Sequence, residues 1–306
     1  MTERLLYVLA LSLVRLLQSL PLGLVARIGR WGGGLAYALD ARHRKVALRN
    51  LTHCFAAEKT PSEIKAIARE NLKRIGENYC CAIKTAGMSF AELSRHVLFR
   101  GAERILPRPD EIGVPSRVVA IGHFGNFELY ARFGQFAPAF QCITTFRGLR
   151  QASLSTLLQS LREQSGCLFF DRRTDASALK AAMNGPGKML GLLCDQHAGN
   201  GGLRLPFFGR DCSTSSAPAL FALRYRCRLF TGFCFRTDLG KWRVEVGEEI
   251  ATHDNAQPRS PAAIMLDVNR AFETAVRCDP ANWFWVHNRW KPPPAVAAPA
   301  EPAAAN

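Results

Sequence analysis

Val118-Val119-Ala120-Ile121-Gly122-His123-Phe124-Gly125-Asn126-Phe127-Glu128-Leu129 decides how the rest of this chain is read. Val118 to Ile121 is a β-branched apolar run of the kind buried on both faces of a sheet. It ends in a glycine, a histidine and a second glycine. Gly122 and Gly125 permit a sharp turn. Gly125 or Asn126 can then cap a helix whose first turn holds Glu128, where unpaired amides and the helix dipole favour an acid. The pattern predicts strand, turn and helix.

His123 and Glu128 cannot share a helix face, since five residues at 3.6 per turn separate them by roughly 140°. With the imidazole in the turn and the carboxylate in the first helical turn, the two can meet. Such a pair is half of a charge relay. The carboxylate orients the imidazole and stabilises its protonated form, while the other ring nitrogen takes a proton from an attacking hydroxyl. The plainer alternative is a structural hydrogen bond. Metal ligation has less support, because no second histidine follows at i+4 and neither Cys-x-x-Cys nor other zinc-ligand spacings occur.

With 306 residues, 48% of them hydrophobic, the chain can bury a full core, as one large α/β domain or two small ones. A formal charge of +15 favours anionic partners: an anionic membrane face, phosphorylated substrates or an acidic carrier protein. Nucleic acid fits least well, because Lys and Arg are scattered and no nucleic-acid module is recognisable. Ten cysteines, several inside apolar runs (Cys142, Cys167, Cys194, Cys234), fit a reducing compartment where thiols serve as small core residues.

On a helix, Leu5, Leu6, Leu9, Leu13, Leu16, Leu17 and Leu20 fall in one stripe, with Arg4, Ser12, Arg15, Gln18 and Ser19 largely away from it. The segment is too short and too interrupted to span a bilayer, which needs about 20 mainly apolar residues. An amphipathic helix lying in the membrane interface suits it better, the alternative being a helix packed on the protein's own core. As a signal peptide it is poor, having a weak n-region and no small-x-small cleavage site. Pro21 stops it, and Leu22 to Leu39 reads as a second apolar helix loosened by Gly32-Gly33-Gly34. Arg42-His43-Arg44-Lys45 follows, suited to anionic headgroups or to a solvated loop. Thr60-Pro61-Ser62-Glu63 is a capping box opening a long scaffold helix.

Beyond the central block the text alternates as a mostly parallel α/β sheet should. Strands are expected over Phe140 to Phe146, Cys167 to Phe170 and Met189 to Cys194, and helices over Ala152 to Gln164 and Ala176 to Met183. A helix over Ser216 to Tyr225, an antiparallel pair over Leu229 to Arg236 and Trp242 to Gly247, and a helix over Ala262 to Cys278 follow. Arg147, at a strand's C-terminal end, is placed for a phosphate or carboxyl, the alternative being an exposed arginine; Arg172, Arg173 and Arg204 are next in line. The division is 1–40 as membrane-associated apolar helices, 41–291 as the catalytic domain, and 292–306 as a disordered Pro/Ala-rich tail that can bury nothing.

The block Gly122-His123-Phe124-Gly125-Asn126-Phe127-Glu128 resembles the H-x4-D/E motif of the glycerolipid acyltransferase superfamily, in the G-H-x-G-N-x-E form of the late acyltransferases of lipid A biosynthesis. Arg44 to Phe55 is similar to that family's R-x-x-A-x-x-N-L block. Phe146-Arg147-Gly148 stands where the family has aromatic-Arg-Pro, with glycine in place of proline. Asp195-Gln196 closes a later strand and leads to Pro206-Phe207-Phe208-Gly209 and Thr214. Asn282-Trp283-Phe284-Trp285-Val286-His287-Asn288-Arg289-Trp290-Lys291 resembles the closing W-x-H-x-R-[FW]-K signature, placed either to close the pocket or touch lipid, or to pack as a capping helix.

The resemblance covers roughly residues 5 to 291. It implies a mixed, mostly parallel sheet flanked by helices, and transfer of an acyl chain from an acyl carrier protein thioester to a hydroxyl of a lipid A precursor, an anionic glycolipid. It also implies the cytoplasmic face of the bacterial inner membrane, no cofactor and no metal. His123 and Glu128 are the expected catalytic pair, with Arg147, Asp195, Gln196, Gly125 and Asn126 at the substrate. Asp195 and Gln196 either position substrate or brace the pocket. Transfer is expected to be direct, with backbone amides of the Gly122 to Asn126 turn or the helix start at the oxyanion. The motif permits equally another acceptor, such as a lysophospholipid or a glycosylated phospholipid. A non-catalytic membrane-binding protein of the same fold is the other alternative, disfavoured by the intact His123/Glu128 pair.

Overall fold

The computed structural model describes residues 2–292, and the expected Pro/Ala-rich tail lies, but for its first residue, outside them. The chain opens with α1 (Thr2–Ser19), α2 (Leu22–Leu39), α3 (Ala41–Phe55) and α4 (Pro61–Ala86). The capping box forms as read: the Thr60 side chain accepts from the Glu63 amide, and the Glu63 carboxylate accepts from the Thr60 amide at 2.7 Å. Short elements α5 (Phe90–Leu93), β1 (Val97–Arg100) and α6 (Ala102–Ile105) lead into the sheet.

Strands and helices then alternate. β2 (Arg117–Ile121) runs into a 3-10 helix over Phe127–Gln135, where an α-helix was expected. β3 (Gln141–Phe146), α7 (Ala152–Arg162), β4 (Leu168–Asp171), α8 (Ala176–Met183) and β5 (Lys188–Leu193) follow, close to their expected bounds. Next come the hairpin β6 (Leu203–Phe207) and β7 (Arg210–Thr214), then α9 (Ala217–Arg224), β8 (Arg228–Asp238) and β9 (Lys241–Ile250). The two-residue strands β10 (His253–Asp254) and β11 (Gln257–Pro258) precede α10 (Pro261–Cys278).

Seven strands form one sheet in the order β1-β9-β8-β2-β5-β3-β4, parallel throughout except for β8 against β9. All five residues of β2 are buried, as its β-branched run requires with cover on both faces. The alternation of a strand sorts them: Val118 and Ala120 join the core under α3, α9, α10 and the closing tryptophans, while Val119 and Ile121 join the one that includes α2 and Phe133. The C-terminal ends of β2, β5 and β3 therefore lie side by side, the edge at which open α/β sheets gather ligands.

Of the three glycines expected to loosen α2, Gly33 instead lets the helix pack closely, as Gly29 does, while Gly32 faces open space. Gly29 and Gly33 sit against Gly76 and Leu72 of α4; a β-carbon on Gly29 would lie 2.5 Å from the Gly76 carbonyl, and one on Gly33 would strike that of Leu72. Beside this contact Glu77 of α4, fully buried, accepts from Arg30 of α2 at 3.2 Å, Arg236 of β8 at 2.9 Å and the Gly240 amide at 3.0 Å. The other face of the first two helices is bare. Leu5, Leu9, Leu13 and Leu16 are exposed on α1, while Val14 and Leu17 turn inward. No helix among the described residues is long and apolar enough to cross a membrane.

Candidate active site

The β2/β5 ladder builds the site. Its register sets Ile121 opposite Leu193, and each strand runs on two residues to a polar side chain, His123 on one and Asp195 on the other. His123 Nδ1 lies 2.7 Å from Asp195 Oδ1, and the His123 amide donates to Asp195 Oδ2 at 2.8 Å. The indole N–H of Trp283 donates to the same Oδ2, also at 2.8 Å. An ionised carboxylate only accepts, so the Nδ1 proton points at Asp195, and in the neutral imidazole Nε2 keeps a free lone pair. Asp195 is buried, which alone would raise its pKa. The charge of His123 and the hydrogen bonds from His123 and Trp283 outweigh this and hold it below the usual carboxylate range.

Glu128 therefore does not hold the imidazole, as the spacing had led one to expect. Its carboxylate is taken bidentately by Arg162 at the end of α7, Nε to Oε2 at 3.0 Å and Nη2 to Oε1 at 2.7 Å. The physical reason is competition: both oxygens of Asp195 are already directed at His123 and Trp283, and a planar guanidinium matches a carboxylate fork better than one imidazole N–H does. The remaining Arg162 nitrogen, Nη1, is buried without a partner among the described residues. Arg162 carried no mark in the sequence.

The turn is closed from behind. Gly125 has φ +51°, and a β-carbon there would lie 2.5 Å from the Cys234 carbonyl. The Gly125 amide donates to Asn282, Phe124 bridges Trp283, and the amide of Phe124 donates to Gly122. The amides of His123, Phe124 and Gly125 are thus engaged within the protein, which narrows the amides of this turn and the helix start that are placed for an oxyanion. Asn126 is buried against α4, with Nδ2 3.4 Å from Thr85 Oγ1 and Oδ1 unpartnered among the described residues.

The closing segment is neither a helix nor a lipid-facing tail. Trp283, Trp285, Arg289 and Trp290 are all buried. Arg289 donates to the carbonyl of Gln196 at 2.8 Å and to Thr214 Oγ1 at 2.9 Å, so it straps the two segments that follow β5.

Two cavities meet at His123. One, of about 820 Å3, is lined by His123, Glu128, Arg147, Arg172, Gln196 and His287 among others, and so takes in the predicted Arg147 and Gln196. The other, of about 410 Å3, is mostly apolar, with Ile75, Tyr79, Ile83, Leu129, Leu157 and Leu161 on its walls and Gly125 and Asn126 also on it. Glu128 and Arg162 line both. Arg147 is exposed at the rim and makes no ion pair among the described residues. Burial holds His287 neutral, its pKa brought down to about 4. All ten cysteines are free; of those on the larger cavity, burial pushes the Cys142 thiol up to about 12 and Cys194 and Cys167 higher, which removes them as thiolate nucleophiles. No cluster of His, Cys, Asp and Glu among the described residues is arranged for a metal.

A comparison with curated proteins gives no match. Against known families, the match is to the bacterial lipid A biosynthesis acyltransferases and runs from residue 1 to residue 292, so it spans the helices, the sheet and the closing segment alike. The chain belongs to the bacterial lipid A biosynthesis acyltransferase family.

Proposed function

We propose that the protein moves a fatty acyl chain from an acyl carrier protein thioester to a hydroxyl of a lipid A precursor, at the cytoplasmic face of the bacterial inner membrane. The observation that carries this reading is an imidazole whose Nδ1 is held by a buried carboxylate and which stands where a mixed cavity and an apolar one meet. In the reaction, Nε2 of His123 takes the proton of the acceptor hydroxyl as its oxygen attacks the thioester carbonyl. Asp195 stabilises the imidazolium that results. The tetrahedral carbon then expels the thiolate, which recovers the proton from the imidazolium. No bond to the protein forms at any stage.

The apolar cavity suits the hydrocarbon chain, and its volume falls in the range of ordinary ligand pockets. The larger cavity, with Arg147 and Arg172 on its wall, suits a phosphorylated acceptor. Glu128 and Arg162 line both cavities, as do Phe127, Ala131, Leu149 and Leu158. Exposed leucines on α1 and α2 and the excess of positive charge support residence on an anionic membrane. The test is an assay of the purified protein with a panel of acyl-carrier and coenzyme A thioesters against lipid A precursors and lysophospholipids, read by mass spectrometry. Acylation of the glycolipid from the carrier thioester is the expected result. Transfer to lysophospholipid alone, or from coenzyme A alone, would replace the acceptor or the donor in this reading.

A further inference from the structure

Away from the histidine, a third, shallow cavity open to solvent lies where α2, α3 and α4 meet, and it shares no lining residue with the two described above. Its side chains include Arg44, Lys65 and Arg69, and none of its lining residues is acidic. Arg44 is held in place: its Nη1 donates to the Tyr37 carbonyl and, at 2.7 Å, to that of Ala38, and its guanidinium stands 5.7 Å from the Tyr37 ring centre. Its other guanidinium nitrogens donate to nothing among the described residues. Lys65 and Arg69 lie four apart on α4, so they share a face and repel one another. Neither has a carboxylate partner among the described residues, whereas Arg74, one turn further on, pairs with Glu70 and Asp279.

The α2 helix that forms one wall of this cavity has two faces. Leu22, Val25, Ala26, Gly29 and Gly33 are buried. Leu24, Ile28, Trp31, Leu35 and Leu39, at spacings of three and four, are exposed, Trp31 by 74% and Leu39 by 73%. The lining residues Gly34, Tyr37 and Ala38 belong to the last turns of the same helix, interleaved with Leu35 and Leu39. A bare apolar stripe with a tryptophan on it, ending beside a cation-lined cavity, has the division of a bilayer surface: hydrocarbon along the stripe, headgroup at its end.

We infer that this cavity is a binding site for the headgroup phosphate of an anionic phospholipid of the membrane, held by Arg44, Lys65 and Arg69 while the lipid's chains lie along the Trp31 face of α2. The occupant is a bilayer lipid rather than a free phosphate, because only a lipid covers the stripe as well. The inference rests on the membrane association proposed above and adds to it a defined contact, distinct from a diffuse attraction between a basic protein and an anionic surface.

The experiment is flotation of the full-length protein with vesicles of phosphatidylcholine alone and of phosphatidylcholine with phosphatidylglycerol, at fixed ionic strength. The proteins compared are the intact chain, the double variant Lys65→Glu/Arg69→Glu, and a control with the same charge change on α8 and α9, Lys180→Glu/Arg224→Glu. The intact chain should favour the anionic vesicles by about tenfold or more, and the Lys65/Arg69 variant should lose most of that preference while the control keeps it. Acyl transfer assayed in detergent should be unchanged in the Lys65/Arg69 variant, which shows that it folds. A preference that survives in the Lys65/Arg69 variant, or falls equally in the control, overturns the site and leaves membrane association standing. An intact chain that binds neither vesicle overturns both.

Discussion

Asp195 and Glu128 are the two carboxylates nearest to His123 in the logic of this site, and they occupy unlike surroundings. Asp195, at the end of β5, is buried and spends its oxygens on His123 and Trp283. Glu128, near the start of the 3-10 helix after β2, keeps 28% of its side chain exposed and is gripped by Arg162. The acid five residues from the histidine belongs to the cavity wall; the acid that orients the histidine comes from the neighbouring strand. A parallel sheet joins what the chain separates, and a motif read along the chain sees only half of such a site.

The largest effect should follow from His123→Ala, which removes the base that Asp195 holds: a loss of about 10²–10⁴-fold in turnover by a folded protein. Near-normal turnover would remove the comparison's subject altogether. Asp195→Asn keeps the side chain's size but takes away the charge that stabilises the imidazolium. Turnover should fall by about 10²-fold or more. Glu128→Gln should cost less. A larger loss for Glu128→Gln than for Asp195→Asn would exchange the two carboxylates' roles.

Glu128 and Arg162 are expected to act as one unit. Glu128→Gln and Arg162→Gln should each lower activity, and the double variant should be no worse than the more damaged single one. Additive losses would show that Glu128 has work of its own. Arg147 at the rim comes next: Arg147→Ala should raise the acceptor KM more than it lowers kcat, with Arg147→Lys in between, since lysine offers a point charge where arginine offers a planar fork. The smallest effect concerns pH and stability. His287 is neutral in the fold down to about 4, whereas an unfolded histidine takes up its proton near 6.5. Between those values the unfolded chain binds more protons, so stability falls as pH falls through that window. Thermal denaturation at pH 7 and 5 should show a smaller drop for His287→Asn than for the intact chain.

Much of this architecture is legible in local chemistry. A buried strand before His123, the Thr60/Glu63 capping box and the strand and helix alternation from Phe140 to Cys194 each follow from short-range rules and fall where those rules put them. The partnership of His123 and Asp195 follows instead from strand order, and no local rule sets β5 beside β2 when β3 and β4 come between them in the chain. A signal did exist: Cys194 and Asp195 end an apolar run as Gly122 and His123 do, and two such endings at one sheet edge are candidates to meet. Arg162 could not be singled out, since an arginine in the last turn of a helix is what the dipole favours anyway. Gly33 of α2 misled because the same residue that weakens an isolated helix allows two helices to touch backbone to backbone, and only the partner helix, at Leu72 and Gly76, tells the two apart.

The strap formed by residues 282–290 also bears on how the molecule comes into being. The turn that carries His123 leans on Asn282 and Trp283, and Arg289 ties the segments that follow β5, so the imidazole's surroundings are assembled from pieces made early and late in synthesis. A growing chain that has produced His123, and even Asp195, still lacks the indole that completes the carboxylate's contacts and the backbone that seats Gly125. Acyl transfer is thereby reserved for a chain that has been translated past Arg289 and folded back on itself, and a product truncated ahead of Asn282 would carry the motif in full and be silent.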